Sequence, residues 1–315
     1  METRILGKNG PKVAVVGLGC NNFGGRLDLE ATRKVVHKAL DCGITLFDTA
    51  DVYGGYGYGN YGGSEDQLGQ ILGARRKDIV LATKFGMAMN QAGTMKGASR
   101  RYILSAVEAS LKRLRTDWID LYQIHRPDPQ TPIAETLRAL DDLVKQGKVR
   151  QIGCSGFSVA QITAAETTSQ QSKMTALVTA QDEYSLLARD LESDPLPAIQ
   201  KFGMSLLPYY PLANGLLTGK YKRNAPAPKG SRLAGGGAGR YLNDAKWTIV
   251  EKLEKYCAAR GKTLLQLAFG WLLAHDFVPS VIAGATKPEQ IEQNVAAAGW
   301  KLSAAEKAEI DKLTE

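Results

Sequence analysis

The feature that most limits how this chain can fold is an alternation, sustained to its end, of short apolar runs and longer segments with helical spacing. A hairpin pattern comes first, at residues 4–6 and 12–14 around Gly10-Pro11. Strand-like runs follow at 15–20, 44–48, 79–84, 118–125, 151–154, 176–181, 205–209 and 280–284. Between them lie helix-like segments at 29–40, at 64 onward with Ser64 as cap and acids in the first turn, and at 99–114, 132–145, 159–167, 196–202, 245–260 and from 288. Eight such units in 315 residues favour a (β/α)8 TIM barrel, with an amino-terminal β-hairpin, over an open doubly wound sheet. No proline- or serine-rich linker divides the chain, so residues 1–315 read as one domain.

In parallel α/β folds, chemistry gathers where strands end at their carboxyl edge. The run Ile44-Thr45-Leu46-Phe47-Asp48 ends on an acid, and Tyr53 follows five residues later. Lys84 ends the next strand and His125 the one after, so three neighbouring strands bring Asp48, Tyr53, Lys84 and His125 to one end of the barrel. A lone lysine or histidine at a strand end is usually a satisfied structural residue; four polar groups on adjacent ends suggest a proton-transfer site. Tyrosine starts near pKa ~10, too high for efficient proton donation near neutral pH. A cation about 4 Å away at an effective dielectric of about 20 favours the phenolate by roughly 4 kcal/mol, about 3 pKa units before desolvation opposes it. Three long glycine-rich interruptions, at 54–63 with Tyr56, Tyr58 and Tyr61, at 86–97 and at 212–239, each follow a strand and are expected to wall or cover this site.

Composition excludes several alternatives. With 44% hydrophobic and 23% charged residues the chain has an ordinary globular balance, and no apolar run approaches the ~18–20 residues of a membrane span. The start lacks an apolar signal core, so a cytoplasmic location is expected, without membrane attachment. A net charge of +8 invites nucleic acid as a partner, but the basic residues are dispersed, which argues against it and leaves a small molecule as the expected partner. Cys20, Cys42, Cys154 and Cys257 form no C-x-x-C pair and have no histidine cluster nearby, so neither a metal site nor a disulfide framework is expected.

The segments Phe47-Asp48-Thr49-Ala50-Asp51-Val52-Tyr53, Ala82-Thr83-Lys84-Phe85-Gly86 and Leu121-Tyr122-Gln123-Ile124-His125 resemble the signatures of the aldo-keto reductase superfamily. The likeness is to a bacterial member, near the branch of potassium-channel β subunits. It continues through Gly153-Cys154-Ser155-Gly156-Phe157-Ser158, Gln181-Asp182-Glu183-Tyr184-Ser185, Tyr209-Tyr210-Pro211-Leu212, Gly219-Lys220-Tyr221 and Gly284-Ala285-Thr286-Lys287-Pro288-Glu289-Gln290, ending at Asn294. It implies an NADPH-dependent oxidoreductase that moves hydride to an aldehyde or ketone carbon, with Tyr53 as general acid, Lys84 and Asp48 tuning it, and His125 orienting the carbonyl. It also implies that Cys20, Asn21 and Asp48 border the nicotinamide side, that Ser155 and Gln181 hold the carboxamide, and that Tyr209 stacks on the ring. Leu212, Lys220 and Arg232 match positions along the pyrophosphate; Gly284, Thr286, Gln290, Gln293 and Asn294 match the adenosine end.

Three departures qualify this. Gly156 stands where many members have asparagine or arginine, and Tyr210 where serine is commoner. Gln290 replaces an arginine typical of NADPH-preferring members, leaving Lys287 and Arg232 as partners for a 2′-phosphate and NADH use open. A Rossmann fingerprint fails, since Gly17 and Gly19 lack a third glycine at Asn22. A Schiff-base aldolase on Lys84 and an NADPH-binding sensor with little turnover are the rival functions; oligomeric state is not legible. The aromatic loop with Met87 and Met89 suggests an adaptable apolar site for bulky xenobiotic or natural-product ketones.

Overall fold

The structure is a computed structural model and describes residues 1–55, 57–234 and 243–314. Strands β1 (Thr3–Ile5) and β2 (Lys12–Ala14) form the antiparallel hairpin. Eight parallel strands follow: β3 (Val16–Gly19), β4 (Leu46–Asp48), β5 (Val80–Phe85), β6 (Ile119–Ile124), β7 (Val149–Ser155), β8 (Leu177–Glu183), β9 (Ser205–Tyr209) and β10 (Val281–Gly284). They pair in the order β10-β3-β4-β5-β6-β7-β8-β9, a nearly closed barrel. At the seam β9 and β10 share no ladder; Leu206 N–H instead reaches the Phe277 carbonyl at 2.8 Å.

Strand alternation sorts the residues into layers. Leu46, Ala82, Leu121, Leu207 and Ile282 point inward and, with Leu6 and Val13 of the hairpin, make a small apolar core inside the barrel. Two residues further along, the same faces carry Asp48, Lys84, Gln123 and Tyr209, so the inner surface turns polar toward the carboxyl end. Phe47, Leu81, Phe85, Tyr122 and Ile124 point outward into the larger core beneath the helices. Gly153 is required by close approach: a Cβ there would lie 2.2 Å from Thr179 Oγ1.

The helices are α1 (Leu29–Asp41), α2 (Gly63–Leu72), α3 (Arg100–Leu114), α4 (Ile133–Lys145), α5 (Val159–Ser172), α6 (Leu196–Phe202), α7 (Asp244–Ala258), α8 (Leu264–Leu273), α9 (Pro288–Ala297) and α10 (Ala304–Leu313). Ser64 is not the cap of α2; Gly62 holds that place in the left-handed region, at φ 82°. The Ser64 hydroxyl, in the first turn, donates to the Cys20 carbonyl at 2.9 Å and pairs with Thr49 Oγ1 at 2.8 Å, tying the helix start to two strand ends. Helix α8 escapes the periodicity argument because it is apolar on nearly every side, with Leu264, Leu267, Phe269, Trp271 and Leu272 all buried. Helix α10 escapes it for the opposite reason, burying only Ile310 among its own residues. The loop after β9 contains short 3-10 turns at Ala213–Thr218 and Arg232–Ala234; Tyr56 and residues 235–239 of the expected covering loops lie outside the described residues. Among the described residues no helix is long and apolar enough to cross a membrane, and the four cysteines are free.

Near the amino end of β6, Asp120 anchors a cation-aromatic stack. One carboxylate oxygen takes Arg76 at 2.8 Å and the Leu81 N–H at 3.0 Å, the other Arg150 at 2.8 Å and Trp118 Nε1 at 3.1 Å. Both guanidinium groups sit 4.7 Å from the Trp118 ring centroid. Asp120→Ala strands the buried Arg76 charge and is expected to lower unfolding free energy by about 3–5 kcal/mol in urea titration. A loss below about 1 kcal/mol would mean the cluster behaves as a solvated surface network.

Candidate active site

Beyond β4 the chain turns sharply. Thr49 N–H continues the sheet onto the Ala82 carbonyl at 2.9 Å, Asp51 N–H reaches the Lys84 carbonyl at 3.1 Å, and Tyr53 N–H closes a turn on Ala50 at 3.2 Å. The first turn of α2 then takes the Tyr53 carbonyl on Ser64 N–H at 3.2 Å, holding the tyrosine back over the barrel mouth. Lys84, rising from β5 beneath it, is fully buried. Its ammonium reaches Asp48 Oδ2 at 2.7 Å, the Thr49 carbonyl at 2.8 Å and the Tyr53 hydroxyl at 3.3 Å, which uses all three donors. Asp48 Oδ1 accepts from Gln181 Nε2 at 3.0 Å and Gln123 Nε2 at 3.3 Å. His125 completes the group, its backbone N–H on the Phe85 carbonyl and its ring edge-on to Tyr53 with centroids 5.8 Å apart.

Burial decides the electrostatics. On Lys84 burial pulls the pKa down, but Asp48 and Tyr53 outweigh it and the group ends above its ordinary value. This charged, fully engaged amine does not suit Schiff-base chemistry, which needs a neutral nucleophile. Burial drives His125 well below its ordinary value, helped by the Lys84 and Arg126 charges, so the ring is neutral near pH 7. Tyr53 corrects an expectation. Burial raises its hydroxyl above the ordinary tyrosine value despite Lys84 pulling down, because the phenolate loses more hydration than the lysine returns and Asp48 opposes it too. The Cys20 thiol is likewise pushed up by burial.

These groups open on a cleft of about 530 Å³. Tyr53, His125 and Asp48 lie on its wall with Cys20 and Asn21, while Lys84 stays beneath. Ser155, Gln181 and Tyr209 line the neighbouring stretch at the ends of β7, β8 and β9. The wall passes along Leu212, Lys220 and Arg232 in the loop after β9. It finishes on Gly284, Thr286, Gln290, Gln293 and Asn294, where β10 leads into α9. Lys287 is exposed and is not among the lining residues. The Gln290 amide oxygen folds back on Thr286 N–H at 2.7 Å and Lys287 N–H at 3.2 Å, so it shapes that turn. Tyr210 sits in the left-handed region at φ 51°, a strained place for an aromatic residue, with the Arg232 guanidinium 5.1 Å from its ring centroid. Of the apolar residues expected near the substrate, Met87 lines the cleft and Met89 does not; Tyr58 is exposed and is not among the lining residues.

Three wall or support residues were not singled out by sequence. Gln123 faces Asp48 one register step below His125, and strand alternation back from His125 reveals it. Arg126 lines the cleft directly after His125, where position at a strand end was the available signal. Arg26, from the loop after β3, donates to the Gly230 carbonyl in the loop after β9 and so bridges the two sides of the cleft, a pairing no local pattern encodes.

The donor set suits a dinucleotide: hydroxyl and amide groups beside Tyr209 at one end, basic residues in the middle, and an exposed glycine with amide side chains at the other. The chain also matches known proteins. The chain is 37% identical over 309 residues to a probable voltage-gated potassium channel subunit beta of Arabidopsis thaliana, covering 94% of this chain and 91% of that one. It is 34% identical over 323 residues to an L-glyceraldehyde 3-phosphate reductase of Escherichia coli K12, covering 99% and 92%. Among solved structures it is similar to an aldo-keto reductase from Bacillus halodurans in its holo form, with TM-score 0.80 and 32% identity, covering 100% and 97%. A family model described as the aldo/keto reductase family matches residues 15–315. With the barrel, the strand-end cluster and these matches, the chain belongs to the aldo/keto reductase family, which supports an oxidoreductase.

Proposed function

We propose that this protein reduces an aldehyde or ketone to an alcohol with NADPH, and that Tyr53 delivers the proton to the carbonyl oxygen. The observation that carries the reading is the Lys84 ammonium held between Asp48 and the Tyr53 hydroxyl, with His125 against the Tyr53 ring. When bound, the nicotinamide supplies the hydride. The protein's part is positioning and proton transfer. Asp48 and the Thr49 carbonyl fix the lysine, so its remaining donor is aimed at the tyrosine oxygen and stabilises phenolate as the proton leaves. The raised pKa of Tyr53 keeps the proton in place until a carbonyl oxygen arrives to share it.

His125 Nδ1 is buried with no hydrogen-bond partner. A buried unpaired N–H is less tolerable than a buried lone pair, so the neutral ring keeps its proton on Nε2, free to donate to the substrate oxygen. Gln181 turns its amide nitrogen toward Asp48, leaving its carbonyl oxygen, beside the Ser155 hydroxyl, for the carboxamide. Tyr209 offers a ring face at the same end. Lys220 and Arg232 suit the pyrophosphate, and Arg232 with Lys287 a 2′-phosphate. Val52 and Met87 beside Tyr53 favour an apolar substrate body.

A second reading is supported by the similarity to the potassium channel subunit: a protein that binds NADPH as a sensor and turns over little. NADPH consumption across a diverse carbonyl panel separates the two. Tyr53→Phe is expected to lower kcat by about 10²–10⁴-fold with NADP+ affinity retained. Wild-type rates in the variant would remove Tyr53 as the acid, and absence of turnover in both, with cofactor still bound, would favour the sensor.

The pH dependence follows from the same shifts. A raised tyrosine loses its proton only at high pH, so the reduction rate is expected to hold through neutrality and fall only above the ordinary tyrosine value of about 10. A falling limb between about pH 6 and 8 would mean that another group carries the proton. For the cofactor, binding titrations are expected to favour NADPH over NADH, with the margin reduced in Lys287→Ala; equal affinities would make the protein a dual user.

A further inference from the structure

We propose that Arg126 forms a charge-recognising subsite beside the reacting carbonyl, and that the substrate carries a carboxylate or phosphate a few atoms from its carbonyl carbon. This deepens the reductase reading and rests on Tyr53 and His125 facing that carbonyl.

Arg126 directly follows His125 at the end of β6 and lines the same cleft as Tyr53, Met87 and Tyr209. Its guanidinium lies over Gly156, where a Cβ would stand 2.8 Å from Nη1 and 3.8 Å from Cδ. The backbone there, at φ 69°, also favours glycine. With a side chain at position 156 the guanidinium would have to shift, so the glycine lets it lie where it does. On its other side its charge lies close enough to the Tyr209 hydroxyl to pull that group's pKa down against burial, so the side chain sits between two wall elements.

The group has no ion-pair partner among the described residues. Among the described residues no carboxylate lies within 4.0 Å of Arg126, whereas Arg76, Arg113 and Arg150 each have one at 2.8 Å or less. The other arginines on the cleft wall are engaged elsewhere, Arg26 on the Gly230 carbonyl and Arg232 over the Tyr210 ring. Asp182 lies within reach of the Arg126 field, which pulls its burial-raised carboxyl down, but its Oδ1 accepts the Gly156 N–H at 3.0 Å and it forms no ion pair with Arg126 within 4.0 Å. A planar fork with donors to spare matches a carboxylate or phosphate in two-point contact, which a neutral carboxamide or a purely apolar ketone would not use.

The test uses the full-length enzyme with NADPH and two matched pairs of carbonyls: 4-carboxybenzaldehyde against methyl 4-formylbenzoate, and glyceraldehyde 3-phosphate against glyceraldehyde. Within each pair the ratio of kcat/KM, charged over neutral, is measured for wild type, Arg126→Leu and Arg126→Lys. In at least one pair the wild type is expected to favour the charged member. Arg126→Leu is expected to cut that ratio about ten- to a hundredfold, mainly through KM, with Arg126→Lys recovering part of it. The pair that responds identifies carboxylate or phosphate. Ratios unchanged in both pairs overturn the proposal, whether the guanidinium proves solvated or, if NADP+ affinity falls, serves the cofactor instead. Calorimetric binding of the same four compounds to the NADP+ complex reads the subsite without turnover. Selectivity lost there with Arg126→Leu supports the subsite even if no carbonyl is reduced, and binding with no selectivity in wild type overturns it.

Discussion

A buried ion pair inside the barrel mouth, Lys84 with Asp48, is the interaction on which the rest of the site depends. Both side chains are almost wholly removed from water, at 1% and 5% exposure. Such a pair is tolerable only where every remaining donor and acceptor is met, because the desolvation of two charges is of the same order as their attraction. Here the strands supply those partners: Gln123 and Gln181 on Asp48, the Thr49 carbonyl and the Tyr53 hydroxyl on Lys84. The tyrosine is thus part of what makes the pair stable, and its position follows from that requirement.

The same burial sets the protonation states around it. Low dielectric keeps Tyr53 protonated and His125 neutral, while the ion pair holds Lys84 charged. One donor loaded with its proton, one neutral imidazole and one fixed cation then share a small volume. The layered interior explains why this is compatible with folding. The apolar layer of Leu46, Ala82, Leu121, Leu207 and Ile282, closed off by the hairpin residues Leu6 and Val13, lies toward the amino end, and the polar layer is confined to the carboxyl end.

The cleft wall continues that division of labour. Elements with regular geometry carry the groups engaged in short hydrogen bonds, and the loops after β3 and β9 supply the basic residues that reach across the opening, with Arg26 on Gly230 linking the two. Tyr210 and Arg232 show that the covering loop is built around a strained aromatic residue and a cation at its face. Arg126 differs from both, since it stands just past a strand end, beside the histidine, and lies over a glycine that directly follows the next strand.

Much of this was legible locally. Period-two alternation in runs such as Leu46-Phe47-Asp48 and Ala82-Thr83-Lys84 fixes which side chains face inward, and helical spacing between the runs fixes the β/α repeat, so the barrel and the four strand-end groups follow from sequence. Helix α8 was hidden because a segment buried on all sides loses its period, and the Ser64 cap was misplaced because a glycine in the left-handed region opened the helix earlier. What only the tertiary structure decided were the quantities that depend on distant partners: the net direction of the Tyr53 shift, the role of Gln123, the Arg26 bridge and the seat of Arg126 over Gly156. The physical reason is that periodicity is a property of neighbours along the chain, whereas desolvation and charge pairing depend on which strand ends and loops the closed barrel brings together in space.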